Sequence, residues 1–246
     1  MRDSYFRSAR CSAALIVFGA LIALAPATAN PGTADATYTE PPTGLLTSFE
    51  ETRHRTFVET ARSGQIDLLF LGDSAVEFWL AEGRAEWNRN FAGLKAANFG
   101  VQGADTESVL WRIRNGELDG FSAKAIVLDA MWAGDLTNGA SEAEILAGNA
   151  AIVAEIRKRQ PQARILLMVA PRLRGQSIQA ALARQFAELA DESSVRFLDV
   201  SGALIGRDGQ FDTALGSGRG SALNERGYAA LADAMRPALS EVLAEG

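Results

Sequence analysis

The chain carries one serine in a setting suited to nucleophilic chemistry. Gly72-Asp73-Ser74 follows the apolar run IDLLFL (66–71) and precedes the helix-like VEFW. A serine at a strand-to-helix turn is exposed, and the helix that follows favours negative charge developing at its N-terminus. That is the setting for acyl transfer to a hydroxyl. Serine is a weak nucleophile unless a base takes its proton. The whole chain holds one histidine, His54, twenty positions before Ser74. Gly100 and Gly103 close a second apolar run. Glycine there lets a backbone N–H turn toward a ligand, so one of the two could stabilise an oxyanion; a plain tight turn fits equally well.

Bland readings compete at each position. Ser74 could be a helix N-cap. Asp73 sits where acids commonly bind nearby backbone N–H groups. Asp129 falls inside an apolar run and, if buried, needs a partner. One histidine and the single Cys11 leave carboxylates as the only candidate metal ligands, and none has calcium-loop spacing, so neither a metal nor a cofactor is expected. LGSGRG (215–220) resembles a phosphate loop only loosely, lacking the lysine and the preceding strand, and reads as a turn.

The elements that must position these residues alternate. Apolar strand candidates are 66–71, 96–99, 125–130, 165–170 and 195–200, short continuous runs that suit strands covered on both faces. Helix-like stretches lie at 47–62, 106–114, 178–190 and 224–243. A further one begins at Ser141, an N-cap with Glu144 three residues on as a capping box. Strand–helix alternation with short joins implies a parallel, doubly wound sheet. Ligands in such sheets sit beyond the carboxyl ends of the strands. This singles out 72–74, 98–103 and Met131-Trp132-Ala133-Gly134-Asp135.

Residues 1–29 read as a signal peptide: Arg2, Arg7 and Arg10, then a short apolar run, then Ala27-Thr28-Ala29 as a small-x-small cleavage site, with a mature start near Asn30. The run is short for a span of about 20 residues, so no membrane span is expected after cleavage. Residues 30–44, with Pro31, Pro41 and Pro42, read as an extended linker, and 45–246 as one domain. Cleavage leaves 21 basic and 29 acidic residues and no cysteine. That acidic balance argues against nucleic acid as a partner.

From Arg53 to Arg174 the chain resembles the SGNH (GDSL) hydrolases, most closely the catalytic subunits of intracellular platelet-activating-factor acetylhydrolase and their bacterial relatives. The matching stretches are RHRTFVETARSGQIDLLFLGDSAVEFW, LKAANFGVQGADTESVLWRIRNGELDG and AAIVAEIRKRQPQARILLMVAPRLRG, with a weaker match at LNERGYAALADAM (223–235). The resemblance implies a three-layer α/β/α sandwich on a five-stranded parallel, flavodoxin-like sheet. It implies Ser74 as nucleophile, with its own N–H helping an oxyanion hole, and Gly100 as the second donor. Three further parts depart from the family pattern. Ala133 stands where the third donor, an asparagine, belongs. Arg219 and Ala222 stand where the last block has its aspartate and histidine. Trp132 is far bulkier than the family residue and would narrow or cap the mouth if it points inward.

Substitute bases are poor. His54 lies on the helix before the first strand, away from the family's catalytic loop. Asp208, Asp212 and Glu225 lie near the altered last block, but a carboxylate deprotonates a serine badly unless burial raises its pKa. The expectation is therefore an exported, periplasmic or secreted, catalytically impaired relative. Its mouth, lined by Ser74, Asp73, Gly100, Trp132, Ala133, Arg219 and Ala222, would bind a small acylated or carbohydrate ligand, or an envelope protein partner. The alternative is an active esterase or deacetylase, with polysaccharide acetyl groups as a candidate substrate class, using Ser74 with an unusual base.

Overall fold

The computed structural model describes residues 41–42, 44–130, 133–170, 176–191, 193–218 and 223–245. The stretch 1–29 read as a signal peptide, most of the stretch 30–44 read as a linker, Trp132, Arg219 and Ala222 lie outside these residues, and Ala133 opens a short helix.

Five apolar runs form the strands: β1 (Leu68–Gly72), β2 (Ala96–Gly100), β3 (Ala125–Asp129), β4 (Arg164–Val169) and β5 (Val195–Asp199). They make one all-parallel sheet in the order β2-β1-β3-β4-β5. All side chains of β1 and β3 are buried, as central strands covered on both faces require.

Helices supply that cover. On one face lie α1 (Ser48–Arg62), α4 (Thr106–Arg112), α6 (Glu142–Arg159) and α7 (Gln176–Ala187). Phe57, Val109, Ile113, Ile152, Ile156 and Phe186 pack there against Leu69, Leu71, Ile126 and Leu128. On the other lie α2 (Ser74–Glu77), α3 (Arg84–Asn90), α8 (Ser201–Leu204) and α9 (Glu225–Glu245). Trp79, Trp87, Phe91, Tyr228 and Met235 meet Leu68, Phe70 and Val127 on this side. Each large apolar side chain so buried contributes roughly 1.5–3 kcal/mol. A three-layer α/β/α sandwich results, as the resemblance implies.

Helix starts follow local rules. Thr47 caps α1 and Ser141 caps α6, each in a reciprocal capping box with Glu50 and Glu144. The Ser141 contacts hold the Glu144 carboxyl below its ordinary pKa. The helix expected over 106–114 ends earlier, at Arg112. A wide turn, Ile113–Glu117, follows, with Gly116 at φ 110°. Only glycine adopts that angle without strain. Among the described residues no helix is long and apolar enough to cross a membrane.

Candidate functional site

Ser74 begins α2, directly beyond the carboxyl end of β1. Asp73 is the N-cap. It is buried, and its Oδ1 accepts the Ala75 N–H at 2.8 Å. It therefore has the capping role that acids at such turns usually take. Among the described residues Ser74 Oγ has no hydrogen-bond partner.

The close seating of α2 explains both neighbouring glycines. Gly72 and Gly100 face each other as partners at the ends of β1 and β2. A Cβ on Gly100 would collide with the α2 backbone, 2.7 Å from Val76 C and nearer still to Glu77 N. A Cβ on Gly72 would meet Val76 Cγ2 at 2.6 Å and Asp129 Cβ at 3.1 Å. Asn98 then ties the two pieces together. Its Nδ2 donates to Val76 O at 2.6 Å and its Oδ1 accepts the Gly100 N–H at 3.0 Å. The donor that the resemblance assigned to an oxyanion thus has an internal partner.

A count of N–H groups along this loop points elsewhere, since nearly every buried or loop N–H finds a partner. Val101 N bonds Gly72 O, Gln102 N bonds Glu77 Oε2, Ala104 N bonds Val101 O, and Asp105 N bonds Ser108 Oγ. Thr106 N bonds Asp135 Oδ1. Gly103 alone, at φ 86°, has an N–H without a partner among the described residues.

The loops after β2 and β3 are braced across the end of β1, the strand between them. Thr106 donates from both N and Oγ1 to Asp135 Oδ1, at 3.2 and 2.9 Å, and Asn138 Nδ2 donates to Asp105 Oδ2 at 2.9 Å. Asp135 lies on α5 (Ala133–Thr137). It is buried, with Oδ2 unpartnered among the described residues. Burial raises its pKa; the two Thr106 hydrogen bonds act against this, and the Asp105 charge adds to the rise.

On the other side of the mouth, Tyr228, fully buried in the first turns of α9, donates its hydroxyl to Ala75 O at 2.8 Å. Its ring stands 4.6 Å from that of Trp79. The loop that ends at Leu223 is closed by a Gly216–Leu223 bridge and by Asn224 Nδ2, which donates to Ala214 O and Gly216 O. Tyr228 therefore fastens the helix after that loop to the residue after Ser74. The sequence match at 223–235 covers this tyrosine, but nothing local in it signals a bond across 153 positions.

The proposed substitutes for a base have other employment. His54 is buried in α1, its Nδ1 2.9 Å from Glu117 Oε1, with Trp111 edge-on at 5.1 Å. Arg112, wholly buried, reaches the same carboxylate oxygen at 3.4 Å. Asp212 caps a short turn through Ala214 N, Asp208 accepts from Gln210 N, and Glu225 is exposed at the start of α9. Asp129 is buried beside Gly72 and is not left without a partner. No group of three or more potential metal ligands lies together among the described residues.

A flavodoxin-like sheet with a serine at the β1 turn, an unpartnered Gly103 N–H on the loop after β2 among the described residues, and α9 fastened to the serine turn by Tyr228 defines the scaffold of a serine acyl hydrolase. The chain belongs to the GDSL-like lipase/acylhydrolase family, whose model matches residues 70–230. It is 34% identical over 166 residues to platelet-activating factor acetylhydrolase IB subunit alpha2 of Rattus norvegicus, covering 64% of this chain and 69% of that one. In fold it is similar to a platelet-activating-factor-related structure from Streptococcus pneumonia (TM-score 0.67, 21% identity, covering 78% of this chain and 92% of that one). It is also similar to a GDSL-like lipase from Bacteroides thetaiotaomicron (TM-score 0.62, 15% identity, 77% and 98%).

Proposed function

We propose that this chain is an SGNH scaffold, exported by the segment 1–29 and cut near Asn30, whose ester-cleaving chemistry is impaired. Its mouth holds a small acylated or carbohydrate ligand, or an envelope protein partner. The observation that carries the reading is the position of His54. It is the chain's only imidazole, and it is buried against Glu117 and Arg112 at the junction of α1 with the turn after α4. With Ala222, Arg219 and Ala133 at the positions of the family's base, acid and third oxyanion donor, Ser74 lacks what would activate it. Loss of a triad member lowers the rate by several orders of magnitude, and loss of an oxyanion donor by a further ~10²–10³. Ser74, Gly103 N–H and the braced loops remain as a shaped polar mouth, with Gly103 rather than Gly100 offering the free donor.

Hydrolysis of p-nitrophenyl acetate by the purified protein tests this. The wild type should match its Ser74→Ala variant. Combined restoration, Ala133→Asn with Arg219→Asp and Ala222→His, should raise the rate above both. A wild-type rate well above the Ser74→Ala control overturns the reading in favour of an active esterase with an unusual base.

A further inference from the structure

We infer that Glu77 is a positioning residue for the mouth: by accepting the Gln102 N–H, it holds the loop after β2 so that the next donor, the Gly103 N–H, faces the ligand beside Ser74. This rests on the reading of the mouth as a ligand site.

Ser74 and Glu77 are three residues apart on α2, and side chains at that spacing share a helix face. The Glu77 Oε2 to Gln102 N distance is 2.6 Å, a short charge-assisted bond. The helix that presents the nucleophile therefore also grips the loop facing it. The loop is held on both sides of Gly103. Val101 N is bonded to Gly72 O, at the end of β1. Thr106 is bonded to Asp135. Between these fixed points lie Gln102, Gly103, Ala104 and Asp105, and Asp105 N is itself held by Ser108 Oγ. Ala104 N closes a turn onto Val101 O. Glu77 removes the remaining alternative, in which the Gln102 N–H competes for the ligand or the peptide rotates. Gly103 has nothing within 4 Å of where a Cβ would stand and takes φ 86°, so its own surroundings do not fix its N–H direction. Orientation has to come from its neighbours, and Gln102 is the nearest one with a side-chain anchor.

The role requires an acceptor at position 77, not a charge. Glu77→Gln keeps a carbonyl oxygen at the same reach, whereas Glu77→Ala keeps none. Amide hydrogen exchange of the ligand-free protein, read by ¹⁵N–¹H NMR, separates the two. In wild type and Glu77→Gln the Gln102 amide is protected and that of Gly103 exchanges freely. In Glu77→Ala, Gln102 should lose about tenfold or more of its protection, the scale expected for a bond to a charged group, with β1 and α9 amides unchanged. Equal Gln102 protection in wild type and Glu77→Ala overturns the proposal, as does loss spread evenly over the sheet. Titration with octanoate, an anion of the kind that ester cleavage leaves, forms the second arm. Wild type and Glu77→Gln should shift the Gly103 resonance at the same concentration, and Glu77→Ala should need about tenfold more. An equal octanoate response in all three proteins overturns the proposal. If no mouth resonance responds in wild type while Gln102 behaves as expected, the ligand-site reading falls and the anchoring by Glu77 stands.

Discussion

Two places in this molecule each hold part of a hydrolytic site. At the junction of α1 with the turn after α4, an imidazole and a guanidinium both approach one carboxylate oxygen. At the end of β1, a serine sits on a helix start, the loop after β2 carries a backbone donor without a partner among the described residues, and none of the described side chains reaches the serine hydroxyl. An acid–histidine pair is one of the most recognisable arrangements in enzymes, yet its chemistry depends on what it faces. The His54 pair faces Trp111 and Arg112, and His54, Glu117 and Arg112 are all buried. There it fastens α1 to α4. The Ser74 turn has the opposite character: its backbone is tightly built, while its side-chain chemistry is sparse.

Removing one side chain from each place should separate them most strongly. Glu117→Ala leaves Arg112 and His54 buried without their shared carboxylate. Breaking a buried pair from one side costs about 3–5 kcal/mol. The cost here should fall toward the upper end, because Arg112 Nε and Nη2 lack hydrogen-bond partners among the described residues, so Glu117 is the acceptor its buried guanidinium depends on. Ser74→Ala removes a hydroxyl that makes no hydrogen bond among the described residues and should change stability by no more than ~0.5 kcal/mol. Urea midpoints of the two variants measure both. Similar losses would mean that the Ser74 turn is as structural as the His54 pair.

A smaller effect should appear at Tyr228. Tyr228→Phe keeps the ring against Trp79 and deletes only the hydroxyl that reaches Ala75 O. The loss should be about 0.5–1.5 kcal/mol, the net value of an ordinary buried hydrogen bond. Unfolding with the same denaturant reads it directly. An unchanged midpoint would show that packing alone holds α9 against the nucleophile turn.

The sequence made much of the frame legible because the frame is dictated locally. Covered parallel strands must be apolar throughout, and all five runs formed strands within two residues of their expected ends. The Ser141–Glu144 box was readable from four residues. The site was harder because its logic is tertiary. Gly100 looked like a donor to a ligand. In the fold it is a glycine because α2 presses against it, and its N–H belongs to Asn98. Gly103 was the other candidate at this loop, and the sequence cannot choose between the two because the choice rests on which N–H the fold leaves without a partner. The apolar spacing of Val109, Leu110 and Ile113 extended the fourth helix to 114. The carboxylate of Glu117, drawn inward to His54 and Arg112, accompanies a wide turn there that spacing alone does not report. The Tyr228 and Glu77 contacts join segments far apart in the chain, which no local pattern encodes.

The mouth itself offers the finest comparison, between its two carboxylates on either side of α4's start. Asp105 is the helix N-cap, with Oδ1 on Ser108 N and Oδ2 on Asn138 Nδ2. Asp135 reaches the same helix end from α5 with one oxygen bonded and the other buried alone. Burial raises the Asp135 pKa above the ordinary Asp value, so the folded protein holds this proton at a pH where the unfolded chain has lost it. Folding is then favoured by protonation of Asp135. Stability from this group is full below the ordinary Asp value and falls as pH rises through the folded one. Asp135→Asn keeps an oxygen for Thr106 and cannot ionise. As pH rises from the ordinary Asp value through the raised folded one, the wild type should therefore lose urea resistance relative to Asp135→Asn, then run parallel to it. The effect should be the smallest of the three, because the Thr106 hydrogen bonds offset part of the desolvation. A wild type that instead gains on the variant as pH rises would mean that the brace stabilises the charged carboxylate more than burial penalises it. Asp135 would then resemble Asp105, and the difference between the two carboxylates would vanish.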